Sequence, residues 1–275
     1  MLKGINLEVP RGVVFGLLGT NGAGKTTLIR TLLGLIPASG GEVRVLGEEP
    51  YKIGPSLRQR IGYVSEEQGL YGWMTIQEMI RFCRSLYPSW DDGLVQNYLH
   101  RFKMNPSQKI RNLSKGQCTK LALILALAPK PELLVLDEPM SGLDPLAQHE
   151  FLQVIAKEVV PEGRTVFFST HNIADVEAVA HYVAIEYNGR IQISGSISEV
   201  CQQVAKYQVP TSHLSELKHL GHYVVLDRDD ERTTVLTSRH SHPEVAATME
   251  MPKTPLLPVN LKEAFLFFCS EGDEE

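Results

Sequence analysis

The chain has 275 residues and a mass of 30.7 kDa, with 43% apolar and 21% charged residues. This is ordinary globular usage and excludes disordered, collagen-like and coiled-coil classes; the length suits one large domain, or one domain with a small appendage, and needs no disulfide or metal to hold a core. The net charge of −5 gives no global positive field, so no nucleic-acid partner is expected.

The predicted elements run as follows. Residues 2 to 19 hold strand-like runs broken by Pro10-Arg11-Gly12, and Val13 to Leu18 reads as a buried strand. Lys25 to Ile36 has helical spacing, with Leu28, Ile29, Leu32, Leu33 and Ile36 on one face. Glu42 to Leu46 and Ile61 to Val64 are short strand candidates. From Thr75 to about Lys130 the pattern is helical, and the all-round apolar stretch Leu121 to Ala128 predicts a buried helix. Leu133 to Leu136 and Thr165 to Ser169 read as strands, with a helix from His149 to Val160 between them. Strands separated by helices predict a mainly parallel sheet. Tyr182 to Glu186 and Arg190 to Ser194 flank Asn188-Gly189, a hairpin signal.

After about Gly195 the texture changes. Five of the nine histidines lie beyond residue 210, and four prolines fall between 243 and 258. Strands at Tyr223 to Leu226 and Thr233 to Thr237 and a helix at Leu261 to Cys269 predict a small α+β appendage over 196–275. The four cysteines, Cys83, Cys118, Cys201 and Cys269, fit neither a disulfide framework nor a zinc pattern, and read as reduced thiols in the cytosol. His219, His222, His240 and His242 fit no zinc spacing either. No apolar run approaches the roughly 20 residues of a membrane span, and Glu8 and Pro10 interrupt any signal peptide.

Gly19-Thr20-Asn21-Gly22-Ala23-Gly24-Lys25-Thr26 matches G-x-x-x-x-G-K-[ST], between a predicted strand and a predicted helix. Its glycines let successive backbone N–H groups point at a phosphate, and the helix N-terminus adds a positive dipole. The residues expected to contact the nucleotide are Gly19, Asn21, Gly22, Ala23, Gly24, Lys25, Thr26 and Thr27. Lys25 is expected to reach the β- and γ-phosphates of ATP, and Thr26 to bind Mg²⁺. The strand Leu133 to Leu136 ends in Asp137-Glu138. Asp137 is the second candidate for Mg²⁺, and Glu138 the candidate for polarising the attacking water.

Three further segments carry a resemblance. Leu113-Ser114-Lys115-Gly116-Gln117 resembles the L-S-G-G-Q signature of ABC ATPases, with Lys115 in place of the first glycine; a surface lysine without a role is the alternative. Ser141-Gly142-Leu143-Asp144 resembles the D-loop, and Ser169-Thr170-His171 the switch histidine. By this order and spacing, residues 1–195 resemble a P-loop ABC ATPase cassette with a helical subdomain at about 67–130. The resemblance implies the nucleotide-binding subunit of a transporter, exporter-like in texture, peripheral at the cytoplasmic face of the membrane. It also implies an integral-membrane permease partner and a head-to-tail dimer. In that dimer Ser114, Lys115, Gly116 and Gln117 close on the ATP of the partner copy, with Ser141 and Asp144 in the D-loop and Glu138 and His171 catalytic. A soluble ATPase acting on nucleic acid or ribosomes and a catalytically impaired regulatory subunit are the rival readings. The first lacks the long coiled-coil insertion or second cassette; against the second stand Lys25, Asp137, Glu138 and His171.

Two departures stand out. Ile61 to Glu66 resembles the Q-loop region, with Glu66 where the family usually has Gln, so an amide donor is lost and a negative charge gained; a one-residue misalignment that leaves Glu66 without a role is the alternative. Gly19 lies only 18 residues after Met1, so no adenine-stacking aromatic is identified, and an exposed sheet edge is expected. Gly69 to Met74 is an aromatic-rich loop; Tyr71 and Trp73 either face a partner or fill the helical subdomain.

Overall fold

A computed structural model describes residues 2–51, 55–159, 161–217, 221–241 and 256–270. His219, His242 and Val160, and the prolines at 243, 252 and 255, lie outside the described residues. Strand β1 (Val14–Gly19) is fully buried, and helix α1 (Lys25–Leu32) follows the glycine loop at once. The helix stops short of the expected Ile36 because the chain turns at Gly34, with φ 67°. After the short helix α2 (Pro55–Gln59) comes β2 (Ile61–Val64).

Three helices then form the helical part: α3 (Ile76–Arg84), α4 (Asp92–Arg101) and α5 (Lys115–Leu127). Each has a side-chain cap, from Thr75, Asp91 and Ser114, which accepts an otherwise orphaned N–H of the first turn. The predicted apolar stretch lies inside α5, and Leu121, Leu123 and Ile124 are sealed in the main core.

The chain continues as β3 (Leu133–Asp137), α6 (Pro145–Val154), a π-helical turn at Ile155–Val159, β4 (Thr165–Thr170), α7 (Ile173–Val179), β5 (Tyr182–Tyr187) and β6 (Arg190–Ser196). The six strands form one sheet in the order β2-β3-β4-β1-β5-β6, parallel except for β6. The β5–β6 hairpin turns at Asn188 and Gly189, both at positive φ, as the sequence predicts.

The N-terminal edge departs from expectation. Residues 2–13 form no strand, and the 42–46 candidate is reduced to a Val45–Glu48 bridge. Strand pairing needs a partner of matching length, and two short strands alone are marginal. The segment instead lays Leu2, Ile5, Leu7 and Val9 against a cluster around Phe15, Leu17, Ile29 and Phe167, and the Lys3 N–H donates to Gly189 O at 2.7 Å.

The last part begins with α8 (Ile197–Gln202) and β7 (Val204–Pro210), a strand not expected from the sequence. Short α9 (Leu214–Leu217), β8 (Tyr223–Arg228), β9 (Arg232–Ser238) and α10 (Leu261–Cys269) complete it. The antiparallel sheet β7-β9-β8 buries Ala205, Tyr207, Val209 and Val235 on one face. Its other face joins the main core through Val204 and Leu236, beside Phe267 of α10, and Lys206 is bonded to Glu263 of the same helix at 2.6 Å. Among the described residues no helix is long and apolar enough to cross a membrane.

Candidate active site

Three adjacent parallel strands bring the sequence candidates together at their carboxyl ends, where ligands of open α/β sheets bind. β1 delivers the glycine loop, β3 delivers Asp137 and Glu138, and β4 delivers His171.

The loop conformation demands glycine at Gly24, where φ is 130°. A Cβ there would meet Leu2 Cδ2 at 2.7 Å and Glu186 Oε1 at 3.0 Å. Lys25 is buried, and its Nζ donates to Gly19 O at 2.9 Å and Thr20 O at 3.0 Å. The same ammonium lies 3.1 Å from Glu138 Oε1, an oxygen with no hydrogen-bond partner, so this contact is ionic. Glu138 Oε2 takes a hydrogen bond from His171 Nδ1 at 2.9 Å. A carboxylate only accepts, so Nδ1 carries the proton and Nε2 is left for another partner. Lys25, Glu138 and His171 thus form one chain of polar contacts.

Glu138 adopts φ 45°, a left-handed conformation uncommon outside glycine and asparagine. Ser169 holds it there: Ser169 Oγ accepts from the Glu138 N–H at 3.0 Å and donates to Asp137 Oδ1 at 2.7 Å. This leaves Asp137 with Oδ2 uncommitted, and the Thr26 hydroxyl has no partner among the described residues. A hydroxyl and a carboxylate suit a hard divalent ion such as Mg²⁺, which binds through one or two protein oxygens and keeps its remaining sites for water and phosphate. Among the described residues no three His, Cys, Asp or Glu side chains gather as a metal cluster. His222 is held at Phe267 O, 3.0 Å from Nε2.

The signature segment lies elsewhere. Ser114 caps α5 in a reciprocal box with Gln117: Ser114 Oγ accepts from Gln117 N at 3.2 Å, and Gln117 Oε1 accepts from Ser114 N at 2.9 Å. Ser114 and Lys115 are exposed and Gly116 is half-buried. Among the described residues no hydrogen bond or ion pair joins 114–117 to 19–27. Lys115 arches over the D-loop: a Cβ on Gly142, whose φ is 71°, would lie 2.9 Å from its Nζ. Asp144 caps α6 through Ala147 N at 2.9 Å, and Ser141 N donates to Glu138 O at 3.0 Å, tying this loop to the site.

Glu66 is exposed. Its neighbour Gln68, not singled out in the sequence, donates from Nε2 to Thr119 Oγ1 of α5 at 2.9 Å, which links the segment after β2 to the helix bearing the signature. Tyr71 and Trp73 are exposed, at 45% and 67%, and stack on one another at 5.9 Å, with the edge of Tyr71 against Phe82. Leu70, next in sequence to Tyr71, lines a groove of about 400 Å³ with Ile61, Cys83, Ala122 and Leu125.

Two buried carboxylates also escaped the sequence reading. Asp175 hydrogen-bonds around His171. Glu186, at the end of β5, is fully buried behind the glycine loop, and neither oxygen has a hydrogen-bond partner. Burial pushes its carboxyl above the ordinary carboxylate range, against the pull of Lys25 and the chain's amino group. Neither position carries a motif, so only the three-dimensional arrangement reveals them.

Residues 2–141 match the family model described as ABC transporter. An uncharacterized ABC transporter ATP-binding protein of Synechocystis is 36% identical over 231 residues, which cover 81% of this chain and 64% of that protein. The chain therefore spans less than two thirds of that relative's length. The ABC transporter ATP-binding protein YtrB of Bacillus subtilis is 29% identical across 97% of this chain and 92% of its own. A solved structure of the ATP-binding subunit of an ABC transporter superposes with a TM-score of 0.67 at 29% identity, covering 74% of this chain and 86% of that one.

Proposed function

The chain belongs to the ABC transporter family, and we propose that it is the ATP-binding and ATP-hydrolysing subunit that powers a separate integral-membrane permease, in an exporter. Residues 1–195 are the cassette, with the helical subdomain at about 67–130, and 196–275 an accessory domain. The observation that carries the reading is the convergence of Lys25, Glu138 and His171, at 3.1 and 2.9 Å, on the phosphate-binding loop.

The loop N–H groups of residues 19–27 cradle the phosphates of ATP, and Lys25 leaves the Gly19 and Thr20 carbonyls to reach the β- and γ-phosphates. That movement frees Glu138 from its ion pair and lets it accept a proton from the attacking water. His171 orients the same carboxylate through Nδ1 and leaves Nε2 to accept a hydrogen bond from the attacking water. Thr26 and Asp137 would hold Mg²⁺, which neutralises charge on the phosphate oxygens when bound.

The exposed signature completes the site from a second copy. Ser114, Lys115, Gly116 and Gln117 present a helix N-terminus to the partner copy's γ-phosphate, and Ser141 and Asp144 lie along the same seam. Glu66 lies in the segment that lines the groove through Ser65 and Gln68. Apolar and aromatic side chains around an open groove suit a protein partner, and the permease is that partner, holding the subunit at the cytoplasmic face of the membrane.

Phosphate release from the purified protein tests the activity. We expect ATP- and Mg²⁺-dependent turnover that falls by about 100-fold or more in Glu138→Gln, the scale of a lost general base, with ATP binding retained. A wild-type protein that binds no ATP contradicts the reading.

A further inference from the structure

We propose that Asp175 is the positioning residue of the site, holding His171 against Glu138 by tying together the side chains of the residues on both sides of the histidine. The inference rests on the hydrolytic reading above.

The clamp is a closed ring of hydrogen bonds. Thr170 Oγ1 donates to Asp175 Oδ2 at 2.9 Å, and Asn172 Nδ2 donates to Asp175 Oδ1 at 3.0 Å. Thr170 Oγ1 also accepts from the Asn172 N–H at 3.0 Å. The residues immediately before and after His171 are thus tied to one carboxylate and to each other. Asn172 in turn caps α7 through Ala174 N at 3.1 Å, so the ring joins the end of β4 to the first turn of the next helix. His171 itself is half-exposed, at 47%, and its only hydrogen bond among the described residues is the one to Glu138. Its backbone, not side-chain packing, must therefore set where the ring points.

Asp175 and Thr170 are buried, at 6% and 2% exposure. Burial holds the Asp175 carboxyl above its ordinary range, opposed by the bonds from Thr170 and Asn172, while Glu138 raises it further and His171 lowers it. A carboxyl that is costly to bury and has both oxygens engaged around one histidine is accounted for by what it orients. At 6% exposure the carboxylate lies out of reach of substrate, so its part is to orient.

The test is a set of variants in the full chain. Asp175→Asn keeps a single acceptor oxygen and so can hold only one of the two donors, while Thr170→Val removes the link to Thr170 outright. Each is expected to lower kcat about 10- to 100-fold, as for a misplaced catalytic group, with nucleotide affinity unchanged. In a His171→Ala background Asp175→Asn is expected to cause no further loss, because it acts only through the histidine. The His171 imidazole nitrogen resonances, recorded without nucleotide, are expected to shift in both single variants. Full kcat in both, an additive loss beside His171→Ala, or unchanged imidazole resonances would overturn the proposal. A wild-type protein without turnover would instead strike the hydrolytic reading, and the resonances would still decide the clamp.

Discussion

Lys25 and Glu138 form a buried ion pair across the mouth of the site, 3.1 Å apart, with both side chains under 10% exposed. The cation that would bind phosphate is thus engaged by the carboxylate that would activate water. Lys25→Met leaves Glu138 buried without its cation. We expect a stability loss of about 3–5 kcal/mol by urea denaturation, the range for a buried pair broken from one side, together with loss of ATP binding. Glu138→Gln leaves Lys25 its two carbonyl acceptors and is expected to cost less.

Glu186 is predicted to destabilise the fold. Its carboxyl is raised in the folded state, so the unfolded chain gives up its proton first as pH rises. Stability therefore falls between the ordinary carboxylate pKa and the raised folded value, and the full penalty is present above that window. Glu186→Leu removes the charge at similar volume, and a gain of about 1–4 kcal/mol at pH 8 is expected, shrinking toward pH 4. Thermal melts at the two pH values check this; equal gains at both contradict it.

Gly24→Ala is predicted to abolish nucleotide binding. A φ of 130° is one that L side chains rarely adopt, so a methyl group strains the loop, and Leu2 Cδ2, 2.7 Å away, must swing aside. Strain of this kind costs about 1–3 kcal/mol. Titration with a fluorescent ATP analogue reads the loss, while far-UV circular dichroism should stay native.

Ser114→Ala separates two roles. The lost cap on α5 is expected to cost about 1 kcal/mol of stability. If the signature acts on a partner's nucleotide, turnover falls far more than that, while the monomer's ATP affinity holds. A proportionate fall in ATP affinity would place Ser114 in its own chain's site.

Much of this was legible in the sequence because the signals are local. The glycine loop, the strand ending in Asp137-Glu138, and the Asn188-Gly189 hairpin each depend on a few adjacent residues, and the structure places them as read. The buried α5 was visible because no polar face interrupts Leu121 to Ala128. What was not legible depends on distant partners. The runs in residues 2–13 look like strands but find no pairing partner. β7 alternates, with Ala205, Tyr207 and Val209 inward, and becomes evident as a strand only through its pairing with β9. Asp175, Gln68 and Glu186 carry no motif at all; their meaning comes from Thr170, Thr119 and the back of the glycine loop.

The most direct measurement is the solution mass of Glu138→Gln, by light scattering, with and without ATP and Mg²⁺. The account predicts a monomer without nucleotide and a dimer with it, since the signature meets no phosphate loop within its own chain. A variant that binds ATP and stays monomeric would contradict the shared site.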